Sequence, residues 1–152
     1  RISAEAGGVA SVGTSPSMVE ALRAVGVTRV AVVTPYIDTI NVGLTTFLTA
    51  HGFDVATMAG QQIVSNLEIG DQSPEAILAF ARANLDPSAE GYFLSCTNWR
   101  SMEIVDQLER ESGKPVVTSN QATVWAALRA LAVSEPIDGY GRLLREPALA
   151  DA

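Results

Sequence analysis

One cysteine, Cys96, stands in the chain, within the run Leu94-Ser95-Cys96-Thr97-Asn98-Trp99-Arg100. It follows Gly91-Tyr92-Phe93-Leu94-Ser95, which reads as a buried strand, and precedes a segment of helical period from about Asn98 to Glu111. A thiol at such a junction meets the positive end of a helix dipole and unpaired backbone N–H groups. That setting lets a cysteine serve as nucleophile or general acid/base. The competing reading is a small buried hydrophobe. Spacing removes one chemistry: a phosphate-cradling cysteine loop needs arginine at the sixth residue after the cysteine. Here that residue is Met102, and Arg100 arrives too early. Neither G-x-x-x-x-G-K-[ST] nor G-x-G-x-x-G occurs, so nucleotide phosphate binding has no support. A single Cys excludes an internal disulfide framework, and a single His (His51) excludes the commoner zinc and Ser–His–Asp sites. His51, just before Gly52, reads as a helix C-terminal dipole partner.

Four further groups could work with the thiol. Tyr36 follows Pro35 at a strand terminus, where its hydroxyl can donate to a developing oxyanion or simply pack on the rim. Asn41, one turn on, either supplements it or occupies an exposed helix face. Asn66 lies in a long segment that could close over a ligand, although loop asparagines commonly form turns. Ser95, Thr97, Asn98, Ser119 and Asn120 offer hydroxyls and amides around two helix N-termini, which bind carboxylates without Lys or Arg. Their other use is capping, which alone would account for Asn120. Trp99 and Trp125 read as packing residues.

The elements that must hold these groups alternate β-branched runs with helical segments, the pattern of a parallel α/β sheet. A loose start, Ser3 to Thr14, precedes a helix opened by Ser15-Pro16, with Met18, Leu22 and Val25 at helical spacing and Gly26 as its stop. Arg29 to Thr34 is a fully buried strand closed by Pro35. A helix from about Ile37 to His51 has Ile40, Leu44, Phe47 and Leu48 on one face, and Phe53 to Met58 is a second strand. Gly60 to Gln72 has neither period and reads as a loop. Ser73-Pro74-Glu75 starts a helix that turns Ile77, Leu78, Ala81 and Leu85 to the sheet and ends at Asp86-Pro87. Pro115 to Thr118 is the fourth strand, and Asn120 caps a last helix carrying Val124, Leu128 and Leu131.

Right-handed crossovers make an open, four-stranded parallel sheet flanked by helices, and the expected strand order is the flavodoxin-like 2-1-3-4. Ligands of such sheets bind outside the carboxyl ends of the strands. Thr34-Pro35-Tyr36, the Gly60–Gln72 loop, Ser95 to Asn98 and Thr118 to Gln121 all gather there. The expected boundaries are an N-terminal segment 1–14, an α/β domain 15–132 and an extended tail 133–152.

At 152 residues, 47% hydrophobic and 18% charged, the chain can bury a core without metal or disulfides. Seventeen acids against ten bases give a net charge of −7, which argues against nucleic acid or anionic membrane as main partner. No apolar run approaches the roughly 18 residues of a membrane span, and no signal peptide is visible, so the expected location is cytoplasmic.

Val32-Val33-Thr34-Pro35-Tyr36-Ile37-Asp38-Thr39-Ile40-Asn41 resembles the motif that opens the second half of maleate cis–trans isomerases and arylmalonate decarboxylases. Leu94 to Arg100 resembles their second cysteine motif, and Gly113 to Ala122 the strand and helix that follow. Gly139-Tyr140-Gly141-Arg142 is similar to their usual ending. Order and spacing agree from about Ser15 to Arg142, so the chain is identified as a member of the aspartate/glutamate racemase superfamily. The resemblance implies a cofactor-independent enzyme of two similar α/β halves with the active site between them and no metal. Cysteines on opposite faces of a small carboxylate substrate then transfer a proton or attack carbon. It makes Cys96 the second-half acid/base thiol and Tyr36 the ligand of a carboxylate or enediolate oxygen. Asn66 matches a substrate-binding asparagine, and the backbone N–H groups of Thr97 and Asn98 help hold the carboxylate.

The family's first cysteine belongs to a first half that this sequence does not contain, and the sequence starts at Arg1. The expectation is therefore the carboxyl-terminal portion of a longer enzyme, forming a homodimer or pairing with that first half. The Ser-Cys-Thr-Asn and Thr-Ser-Asn-Gln wording is closer to maleate isomerases, including their ectoine-utilisation relatives, than to arylmalonate decarboxylases. The leading reading is a maleate isomerase-like or Asp/Glu racemase-like enzyme. Its alternatives are a decarboxylase using one cysteine as proton donor and a non-catalytic carboxylate-binding or interaction module. A receiver-type signalling domain ranks last, because no Asp ends the first strand.

Overall fold

A computed structural model describes residues 2–5, 7–9 and 11–146. After a short helix α1 (Ile2–Glu5) come α2 (Thr14–Ala24), β1 (Arg29–Thr34), α3 (Asp38–Ala50), β2 (Asp54–Gly60) and α4 (Asn66–Gly70). They are followed by α5 (Pro74–Ala83), β3 (Gly91–Leu94), a 3-10 turn (Ser101–Ile104), α6 (Val105–Ser112), β4 (Val116–Thr118), α7 (Ser119–Ala130) and α8 (Arg142–Arg145). The sheet order is β2-β1-β3-β4 with every pairing parallel, as the alternating pattern implies.

The sheet is buried on both sides because its strands alternate between two cores. Val30, Val32, Phe93 and Val117 join α2, α3, α7 and α8 through Leu22, Leu48, Trp125 and Leu143. Ala31, Val33, Tyr92, Leu94 and Val116 turn the other way, onto Ile77 and Ala81 of α5, Leu108 of α6, and Trp99. In β1, β3 and β4 neither face meets water, while the edge strand β2 is only partly buried, so the inner strands require continuous apolar runs, and β1 supplies one. The register sets Thr34 beside Gly60, Val33 beside Leu94 and Leu94 beside Thr118, which brings the four carboxyl ends level.

Several local expectations are corrected. The segment after Cys96 does not begin a helix at Asn98. It turns, with the Trp99 N–H donating to the Cys96 carbonyl at 3.4 Å, then forms the 3-10 turn, and α6 begins only at Val105. Burial of Trp99, whose indole N–H donates to Gln72 Oε1 at 3.3 Å, turns the chain back under α5 instead of along a helix axis. The loop Gly60–Gln72 contains α4, capped by the Ser65 hydroxyl accepting from the Glu68 N–H. Ser65 and Glu68 stand at capping-box spacing, a signal short enough to miss.

Helix α2 starts at Thr14 with Gly13 at its N-cap, one residue before Ser15-Pro16. Helix α7 is capped by Thr118 in a reciprocal box with Gln121, not by Asn120, and Val124 and Leu131 are exposed while Ala122 and Trp125 go inward. Ile40 is exposed and Asn41 buried, the reverse of the expected face. The tail is not extended throughout: Leu143 and Leu144 of α8 enter the core, and Gln121 Nε2 donates to the Tyr140 carbonyl at 2.6 Å. The end of that tail, from 147 on, lies outside the described residues. Among the described residues no helix is long and apolar enough to cross a membrane.

Near the amino end of the sheet two carboxylates are held ionised. Glu90 accepts from the Thr28 hydroxyl and N–H and from the Arg29 N–H, chiefly the Thr28 hydroxyl holding it down at about 2. Asp86 accepts from the Thr57 hydroxyl and from Ser88, and is likewise lowered to about 2, the Thr57 bond first. A depressed carboxylate contributes stability that is complete above its ordinary value and lost as pH falls through the folded one. Melting temperature should therefore drop from the ordinary values of 3.8 and 4.5 down to about 2. Melting scans across that range check this, and Glu90→Gln should flatten the drop; an equally steep drop in that variant would refute the assignment.

Candidate active site

The site is built on the carboxyl ends of β1 and β3, adjacent strands of the sheet. Pro35 stops β1 after Thr34, and the chain turns through Tyr36 into α3. Strand β3 ends at Leu94. The Ser95 N–H still bonds to the Val33 carbonyl at 3.0 Å, so Cys96 emerges beside the Tyr36 turn. Tyr36 packs against the core cluster that contains Cys96. Burial pushes the Tyr36 hydroxyl above the ordinary phenol range, and hydrogen bonding to Cys96 and the charge of that side chain push it further. At neutral pH the phenol is thus a proton donor, facing the chain's one thiol.

Cys96 itself is 4% exposed, at the rim of the core. Its neighbours in sequence, Thr97 and Asn98, are exposed, so reactants can reach the rim from outside. The helix-dipole setting is absent, because the chain runs through a turn and the 3-10 segment before α6 begins at Val105. What replaces it is the tight turn Cys96–Trp99. Among the hydrogen bonds of the described residues, none uses the N–H of Thr97 or of Asn98 as donor. Two adjacent amide N–H groups beside a thiol and a phenol make a receptor for a carboxylate or for an oxyanion developing next to carbon.

The remaining candidates fall into two groups. Asn66 begins α4, is exposed, and its carbonyl accepts from Asn98 Nδ2 at 2.7 Å, so the α4 segment is tied to the cysteine turn. Gly70 permits that approach, since a Cβ there would sit 3.2 Å from Asn98 Nδ2. One N–H of the Asn98 side chain is therefore spent on this tie. Asn120 likewise donates to the Thr97 carbonyl at 3.0 Å, bracing the turn from α7. Asn41 is not on the rim: it is 4% exposed, accepts from the Thr34 hydroxyl and donates to the Tyr36 carbonyl.

Ser95 and Ser119 are buried, with the Ser119 hydroxyl against the Met18 sulfur. His51 sits at the end of α3 with Nδ1 on the Phe47 carbonyl, away from the rim. Gln72, which holds the indole of Trp99 and also donates to Gln61 Oε1 at 2.7 Å, had no signal in the sequence. Among the described residues no group of three His, Cys, Asp or Glu could hold a metal ion.

Comparison with known proteins places this geometry. The arylmalonate decarboxylase family matches residues 2–144. The chain is 32% identical over 137 residues to a maleate isomerase of Nocardia farcinica, covering 90% of this chain and 55% of that protein. It is also 32% identical over 148 residues to the arylmalonate decarboxylase of Bordetella bronchiseptica, covering 93% and 60%. The solved N. farcinica maleate cis–trans isomerase bound to TRIS superposes with a TM-score of 0.83 at 33% identity, over 88% of this chain and 55% of that one. A C-to-S mutant of the same isomerase, solved with a covalently bound succinylcysteine intermediate, gives 0.83 at 32% identity, over 88% and 55%. The chain thus spans between half and two-thirds of the length of these relatives. With its four-stranded parallel sheet and its cysteine and tyrosine at one rim, the chain belongs to the arylmalonate decarboxylase family, within the Asp/Glu racemase-like superfamily.

Proposed function

We propose that this chain supplies one wall of a cofactor-independent isomerase active site, in which Cys96 handles a proton or attacks carbon beside the carboxylate of a small dicarboxylic acid. The observation that carries the reading is the pairing of Cys96 with a phenol whose pKa is raised above the ordinary range. Such a phenol donates to an oxygen that gains charge, while the thiol takes or delivers the proton at the adjacent carbon. The Thr97 and Asn98 N–H groups bind the other carboxylate oxygen, and Asn66 closes from α4. The succinylcysteine intermediate in a solved relative supports cysteine chemistry on a four-carbon diacid. The opposite wall comes from the remaining portion of a protein of the relatives' length or from a second copy. Val64 and Leu67, 82% and 80% exposed on either side of Asn66, provide apolar surface suited to burial against such a wall.

A decarboxylase uses the same wall differently, with the thiol delivering a proton to a carbanion left by carbon dioxide loss, and the similarity to arylmalonate decarboxylase favours that second reading. The two reactions have separate readouts. The full-length protein is incubated with maleate and, separately, with phenylmalonate, and both mixtures are followed by proton NMR. Fumarate from maleate with phenylmalonate unchanged is the expected result. Phenylacetate from phenylmalonate with maleate unchanged would replace the isomerase reading by the decarboxylase one.

A further inference from the structure

Tyr36 is gripped by its backbone from beneath. Its N–H donates to the Thr34 hydroxyl at 3.1 Å, and that hydroxyl donates to Asn41 Oδ1 at 2.8 Å. The Asn41 amide donates back to the Tyr36 carbonyl at 3.3 Å, so both main-chain polar groups of Tyr36 end on one pair of side chains. The pair is buried, Thr34 at 0% and Asn41 at 4% exposure. Gln62 reinforces it from the flank. Its own N–H donates to the same Tyr36 carbonyl at 3.3 Å, and it adopts φ 63°, a conformation costly for a residue with a Cβ.

Core filling does not explain this circuit. Position 34 follows Val32 and Val33 in a strand, and valine has the shape of threonine without the hydroxyl. A buried hydroxyl and amide are tolerable only when satisfied, and here their bonds converge on the one residue that presents the phenol to the thiol. We propose that Thr34, directly and through Asn41, is the positioning residue that holds the Tyr36 hydroxyl at Cys96. Rotation of the Tyr36 backbone by a fraction of its freedom would carry the phenol oxygen, at the far end of the ring, out of reach of the sulfur. The proposal rests on Cys96 and Tyr36 being the reacting pair described above.

The test uses the full-length protein and three substitutions. Thr34→Val keeps the shape and removes the hydroxyl. Thr34→Ser and Thr34→Ala both lose the methyl but differ from each other only in the hydroxyl, and they serve if Thr34→Val does not fold. Turnover, KM, melting temperature and the rate of Cys96 alkylation by iodoacetamide, followed by peptide mass spectrometry, are measured beside Tyr36→Phe.

Thr34→Val and Thr34→Ala should lower kcat about 10-fold or more with little change in KM, as misplacement of a catalytic group does. On a logarithmic scale both should shift the alkylation rate at least half of the way to that of Tyr36→Phe. Thr34→Ser should keep kcat within about two-fold of the parent even though its melting temperature falls. Turnover that follows melting temperature in all three would overturn the proposal. So would a Tyr36→Phe alkylation rate equal to the parent's. Retained turnover in Cys96→Ala would remove the reading of the reacting pair itself. Loss of turnover there, with Thr34→Val fully active, would remove only the positioning role.

Discussion

Cys96→Ala should lower turnover by at least about 10³-fold while leaving the fold in place. The structure gives the reason in two steps. The groups that line the rim beside it, Thr97, Asn98, Asn66 and Asn120, are hydroxyls and amides that do not exchange a proton with carbon at neutral pH. Tyr36 is held protonated by burial and by the thiol, so it can donate a hydrogen bond but cannot act as the base. Removing one sulfur from the rim of the core costs on the order of 1 kcal/mol, and the melting temperature should move by only a few degrees. Steady-state kinetics and a thermal melt on the same preparation check both halves. Turnover within tenfold of the parent enzyme would leave the thiol as a packing residue.

Gly60→Ala should be the most damaging single methyl in the site. An added Cβ would lie 2.3 Å from Asn41 Nδ2 and 2.3 Å from the Tyr36 carbonyl oxygen, with Gln62 Nε2 at 3.1 Å. A flexible side chain can yield to such a contact, but the carbonyl oxygen cannot move without carrying the Tyr36 turn with it. The expected loss is about 1–3 kcal/mol of stability, together with a changed rate of Cys96 alkylation. Gly91→Ala provides the control. Its Cβ would meet Val27 Cγ2 at 2.5 Å and the Pro115 carbonyl at 2.9 Å, at the opposite end of the sheet. Both variants should melt lower, but only Gly60→Ala should alter kcat and thiol reactivity in the molecules that remain folded. Equal effects on kcat would mean that the tyrosine turn has no special sensitivity to this glycine.

How much of this was legible beforehand depends on how local each signal is. Strand β1 was readable to the residue, because a run of β-branched side chains closed by proline has one reading in a parallel sheet. Helix α5 was readable from Ser73-Pro74, and there the serine hydroxyl accepts from the Ala76 N–H at 3.2 Å as a cap should. The stretch after Cys96 misled, since Ile104, Val105 and Leu108 carry helical spacing but the helix they belong to starts only at Val105. Its upstream end is set by Trp99 and Gln72, which are far apart in sequence and meet only in the fold. Asn41 misled in another way. A polar residue on an amphipathic helix is ordinarily assigned to water, yet this one faces inward because Thr34 and Tyr36 satisfy its amide.

The sequence by itself determined the class of sheet and the gathering of thiol, phenol and amides at the carboxyl ends. These follow from side-chain period and from the handedness of βα crossovers, both properties of short stretches of chain. Only the tertiary structure decided which of those groups face one another. It set Tyr36 against Cys96, tied Asn66 to Asn98 across 32 positions and sank Asn41 beneath the site. Such pairings arise from strand register, from the rotation of each helix about its axis and from which polar groups find partners once water is excluded. The first two relate distant segments, so no short window of sequence contains both partners, whereas Asn41 meets nearby Thr34 and Tyr36 only because of how α3 is rotated about its axis.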